Sequence, residues 1–150
     1  MRIMKIIFLP ALIALIAIAA CNNQSKITSD KMDLNELQGT WELDYISGPR
    51  IAFDGLYPDK KPSISFNVKD KKVSGNSSCN SYSGPFTMEG FNVDFNGPIV
   101  STKMACQGEG ESVYFNTLKK ITRYAITDSI TLNLFMGDVS LMRFHKIPTP

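Results

Sequence analysis

Four runs of this chain alternate apolar and polar side chains residue by residue. Trp41, Leu43 and Tyr45 alternate with Glu42 and Asp44, and Ile64, Phe66 and Val68 with Ser65 and Asn67. Phe91, Val93 and Phe95 alternate with Asn92 and Asp94, and Ile130, Leu132 and Leu134 with Thr131 and Asn133. Successive side chains of a strand point to opposite faces, so a period of two marks a strand with one buried face. Lys72 to Gly75, Pro85 to Glu89, Ile99 to Lys103, Arg123 to Thr127 and Val139 to Phe144 read as further strands. Turns are expected at Asp70-Lys71, Glu89-Gly90, Asp128-Ser129 and Gly137-Asp138. Short links predict antiparallel neighbours.

One stretch changes period. Tyr114, Phe115, Leu118 and Ile121 recur at helical spacing, after Glu109, Glu111 and Ser112 and before Lys119 and Lys120. Acidic residues suit a helix start and basic ones its end, because the helix dipole is positive at its N-terminus. The expected fold is mainly β (α+β): a small, strongly curved antiparallel sheet or barrel of about eight to nine strands with one amphipathic helix packed on it.

Two segments stand outside the rhythm and read as loops. Gly75 to Gly84 (GNSSCNSYSG) and Ser101 to Cys106 (STKMAC) hold the only cysteines beyond residue 21, Cys79 and Cys106. In an oxidising compartment these would form a disulfide; two buried free thiols are the alternative.

The N-terminus bears on that choice. Met1 to Ala20 carries Arg2 and Lys5, an apolar run from Ile6, and small residues at its exit, the three parts of a secretory signal. Ile18-Ala19-Ala20-Cys21 resembles the lipobox of bacterial lipoproteins. That resemblance implies cleavage before Cys21, its lipidation, and a protein anchored to a membrane without spanning it. Asn22 stands where Asp would signal inner-membrane retention, so the expected address is the outer membrane, with its face open. With Cys21 lipidated, Cys79 and Cys106 remain to pair. Residues 1–20 are then the signal, 21–36 the lipidated cysteine and a polar tether, and 37–150 one domain.

Removing Arg2 and Lys5 with the signal leaves equal numbers of basic and acidic residues. A neutral chain with at most two adjacent basic residues lacks the footprint of a nucleic-acid binder.

Several motifs together resemble a known family. GTWEL at Gly39 to Leu43, SISF at Ser63 to Phe66, SGNSSCNSYSGPF at Ser74 to Phe86 and GPIVSTKMAC at Gly97 to Cys106 look like the META domain, the HslJ-like family of bacterial envelope proteins. The likeness runs from about Leu37 to His145 and takes in Glu111, Phe115 and Leu118. It implies a compact barrel-like fold, in proteins linked to heat response, envelope stress or secretion, and it implies no enzyme. Carried over residue by residue, the family signature falls on Trp41, Gly75, Asn76, Cys79, Asn80, Tyr82, Gly84, Thr102, Met104 and Cys106.

The residues themselves offer little chemistry. A triad or common metal site needs histidines, and the single one, His145, lies at a strand end beside Lys146. The sequence contains no Cys-x-x-Cys, nucleophile elbow or phosphate loop. Glu109 and Glu111 are the densest acidic pair, and a helix start accounts for both. Neither catalytic residues, metal nor cofactor are expected.

Two features remain for binding. The long link Ser47 to Pro62 carries Ile51, Phe53, Leu56 and Tyr57, which either present an interface or fold under one end of the barrel. Asn76, Asn80, Tyr82 and Thr102 form a polar cluster that either binds or satisfies loop backbone. The expected function is a monomeric, noncatalytic envelope interaction module with a protein partner. A carrier of a small hydrophobic ligand or lipid is the alternative, with Phe66, Phe91, Phe95 and Leu132 lining a cavity; an uncharacterised hydrolase is the third.

Overall fold

The structure is a computed structural model and describes residues 34–148. The expected signal, Cys21 and residues 22–33 of the tether lie outside the described residues. The tether's last residues are not coil: they enter a single helical turn, α1 (Leu34–Leu37).

Ten strands follow. They are β1 (Gly39–Ile46), β2 (Ser63–Asn67), β3 (Lys72–Asn76), β4 (Ser81–Pro85), β5 (Thr87–Glu89), β6 (Asn92–Asp94), β7 (Val100–Ser101), β8 (Arg123–Thr127), β9 (Thr131–Met136) and β10 (Val139–Ile147). Two helices interrupt them, the one-turn α2 (Phe53–Leu56) and α3 (Gly110–Leu118). All strands join one antiparallel sheet, ordered β5-β6-β8-β9-β10-β1-β2-β3-β4-β7 and curled into a half-barrel. The first and last strands pair at its middle, Thr40 facing Ile147 and Leu43 facing Phe144.

The alternating runs supply the interior. Trp41, Leu43, Ile64, Phe66, Phe95, Leu132, Leu134 and Phe144 are buried on one face, and Tyr114 and Leu118 of α3 pack into the same core. Phe66 meets Phe86 edge to face at 5.4 Å and Phe95 at 6.2 Å. Such aromatic pairs favour edge-to-face and tilted contacts because the ring edge is positive and the face negative. The three rings therefore pack against one another within the core.

Three readings of the alternation need correction. The register shifts between Leu43 and Tyr45, so Tyr45 turns outward, 43% exposed, and Ile46 takes the inner position. An extra residue in one strand bends it and reverses the faces beyond, which helps to curl the sheet. Phe91 and Ile130 lie in the turns before β6 and β9 and are exposed; Phe91 lines no interior. Much of Gly75 to Gly84 is strand, not loop: Gly75 and Asn76 end β3, and Ser81 to Gly84 belong to β4.

Candidate functional site

The two features singled out for binding meet at the N-terminal turn of α3. On one side, the Tyr57 hydroxyl donates to the Gly110 carbonyl at 3.2 Å. On the other, the Glu111 carboxylate accepts from Asn80 Nδ2 at 2.7 Å. Gly110 is buried between them: a Cβ there would stand 2.6 Å from the Leu56 carbonyl oxygen and 2.8 Å from the Tyr57 ring. Only a glycine lets α2 and α3 approach this closely.

Asn80 is the centre of the polar cluster. It sits at the end of the tight link Ser77 to Asn80 between β3 and β4, 3% exposed, and its carbonyl accepts from Ser77 N–H at 2.8 Å. Its amide oxygen accepts from Met104 N–H at 2.8 Å and from the Thr102 hydroxyl at 2.7 Å. Its amide nitrogen faces Glu111 and, at 3.3 Å, the Met104 carbonyl. Thr102 Oγ1 in turn accepts from Ser81 N–H at 3.2 Å. One side chain thus braces the irregular segment 102–106, whose backbone keeps a bond to β4 at its start, Thr102 N–H to the Ser81 carbonyl at 3.0 Å.

The Cys79–Cys106 disulfide closes the same region. Cys106 Sγ lies 3.0 Å from Asn80 Nδ2 and 3.3 Å from Glu111 Oε2. Cys79, Cys106 and Glu111 bring three potential ligand atoms within 4.8 Å of one another. With the sulfurs bonded to each other, no thiolate pair is open to a cation.

Beneath the cluster lies a phenol pair. Tyr82 donates to the Ser63 carbonyl at 3.1 Å, which leaves Tyr114 to donate to the Tyr82 oxygen at 2.6 Å. Burial pushes both phenol pKa values well above the ordinary one. The Ser63 carbonyl oxygen lies directly over Gly75, inside the space a Cβ would occupy. Asn76 Nδ2 donates to Ser63 Oγ at 2.7 Å, and Gly84 gives room to the Pro98 carbonyl and Ile99.

The candidate loop divides. Leu56 and Tyr57 are buried and Phe53 half-buried, sealing one end of the core, while Ile51 is 48% exposed. Met104 is exposed, and Trp41 is fully buried with Nε1 donating to the Leu37 carbonyl at 3.0 Å. His145 is far from this cluster in the fold, on the outer face of β10, 3.6 Å from Glu42 and 3.8 Å from Asp44. An open groove of about 380 Å³ runs along β5 and β6, bordered by Glu89, Asp94 and Thr122 among others.

The order of these contacts along the chain can be set against known proteins. A family model described as the META domain matches residues 33–147. The chain belongs to the META domain family. Solved structures repeat the fold. A protein from Burkholderia xenovorans, solved by NMR, is 22% identical with a TM-score of 0.58, covering 75% of this chain and 85% of its own. A DUF4847 family protein from Bacteroides vulgatus, in a crystal structure, is 16% identical with a TM-score of 0.52, covering 76% of this chain and 96% of its own. No curated protein matches the chain.

In this META domain the signature positions are mostly parts of one construction. Gly75, Asn76, Cys79, Asn80, Tyr82, Thr102, Met104 and Cys106 all meet at the β3–β4 end, while Trp41 and Gly84 serve the core and the β4 crossing. Sequence reasoning missed the roles of Ser63 and Gly110; it read Glu111 as a helix start that the family likeness takes in, without its contact to Asn80 and Cys106. Ser63 acts through a backbone carbonyl, which leaves no mark in the sequence.

Proposed function

We propose that this META domain is a noncatalytic interaction module of the cell envelope, held to the outer membrane by acyl chains on Cys21, that engages a protein partner through the β7 edge. The process it serves on this reading is envelope stress tolerance, secretion or assembly. The observation carrying the proposal is an exposed apolar pair on a braced segment. Val100 is 71% and Met104 60% exposed, while pairing with Ser83 of β4 holds the first and Asn80 and the disulfide hold the segment that bears the second. Since β7 pairs with β4 and ends the sheet order, it offers an open edge of the kind that accepts an added strand. A braced surface binds without the entropic cost of ordering. The cluster's polar side chains, meanwhile, are engaged with one another.

A photocrosslinker placed at Met104 of the envelope-resident protein tests this. The expected result is one discrete adduct that Val100→Asp abolishes. Equal adducts from a probe at Lys72, or none from Met104, would count against it. Cys21→Ser should move the protein to the soluble fraction; unchanged membrane pelleting would remove the lipid anchor from the proposal.

A further inference from the structure

The disulfide carries a neighbour that its covalent role does not require. Glu111 Oε2 stands 3.3 Å from Cys106 Sγ, and Asn80 Nδ2 bridges the two at 2.7 and 3.0 Å. Glu111 lies in the first turn of α3, where the helix dipole favours its charge, and Cys79, Cys106 and Glu111 are all half-buried, within reach of small solutes.

We propose that Glu111 is an electrostatic guard that selects which thiols can open the Cys79–Cys106 disulfide, rejecting anionic thiols and admitting neutral or cationic ones. Reduction begins when a thiolate forms a bond to one sulfur along the S–S axis while the S–S bond breaks and its electron pair leaves with the other sulfur. Attack on Cys106 brings the incoming negative charge against the Glu111 carboxylate. Attack on Cys79 instead leaves the negative charge on Cys106 Sγ, beside that same carboxylate. Both routes therefore meet a like charge at a few ångströms, in a site only partly screened by water. A second thiol of the reductant completes the exchange, so two electrons and two protons pass to the cysteine pair and the reductant becomes a disulfide. Asn80 is the positioning residue, because its amide hydrogens hold the carboxylate against the sulfur. The class of reductant that fits is a thiol without negative charge near its sulfur.

The test uses the mature oxidised protein and three thiols of similar size: 2-mercaptoethanesulfonate (anionic), 2-mercaptoethanol (neutral) and cysteamine (cationic). Second-order rate constants, normalised to thiolate concentration, are read from the mass of alkylated protein. In the wild type the order should be cationic, then neutral, then anionic, with about tenfold between the extremes or more, narrowing as salt is added. Glu111→Gln keeps an acceptor for Asn80 and removes the charge, so the spread should collapse and the anionic thiol should gain most. A spread unchanged in Glu111→Gln would overturn the proposal. Equal acceleration of all three thiols would also overturn it, since a loosened helix, or the loss of a charge acting only on the leaving sulfur, speeds every thiol alike and selects among none.

Discussion

The hydroxyls of Tyr82 and Tyr114 lie 2.6 Å apart at the base of the polar cluster, one on the sheet and one on the helix. Desolvation raises both pKa values, so the unfolded chain releases these protons first as the pH climbs. Their contribution is fully present below about pH 10, the ordinary phenol value, and is lost above it. Stability should fall by about 1.4 kcal/mol per pH unit for each phenol in that range. Tyr114→Phe should make the decline shallower in urea titrations between pH 9 and about 11; an unchanged slope would contradict the assignment.

Gly75→Ala should be among the most damaging single-methyl additions. The added carbon would overlap the Ser63 carbonyl, forcing β2 from β3 and withdrawing the acceptor of Tyr82. Overpacking and a lost buried hydrogen bond together cost about 3 kcal/mol. Chemical denaturation measures it, and a loss below about 0.5 kcal/mol would show that the strands can yield.

At Asn80 the sign of the effect is informative. Asn80→Asp replaces a donor by a carboxylate facing Glu111, at a position with almost no access to water. The loss at neutral pH should be about 3 kcal/mol. Because the fold would raise the pKa of the new carboxyl, the penalty should shrink as the pH falls toward about 4. A pH-independent loss, in the same denaturation assay, would point to shape and not charge.

Replacing both Cys79 and Cys106 with Ser releases a loop spanning a sequence separation of 27. The chain-entropy model puts the destabilisation at about 3.6 kcal/mol. Thermal denaturation of the variant beside the oxidised wild type measures it. A loss under about 1 kcal/mol would mean that Asn80 and the bonds between Thr102 and Ser81 suffice to brace residues 102–106.

The legible parts of this fold were those that repeat. Four alternating runs gave their strands because Leu43, Ile64, Val93 and Leu132 each place an apolar group on the same inner face. β4 escaped because Tyr82 is its only large apolar side chain, between Ser81, Ser83 and Gly84. The outward turn of Tyr45 follows from a bulge, a backbone event that composition does not encode. Within the site, the cysteines and Asn80 stood out in the sequence. The Ser63 and Met104 carbonyls and the space at Gly110 did not, because they belong to the backbone.

The pairing of β1 with β10 also fixes when this domain can exist. A chain emerging from its N-terminus carries β1 early, yet the strand that completes the middle of the sheet comes last. Until Ile147 has been synthesised, β1 and β9 each hold an open edge where β10 belongs, and such long-range closure is slow. The two halves of the sheet therefore stay unjoined until the last strand arrives.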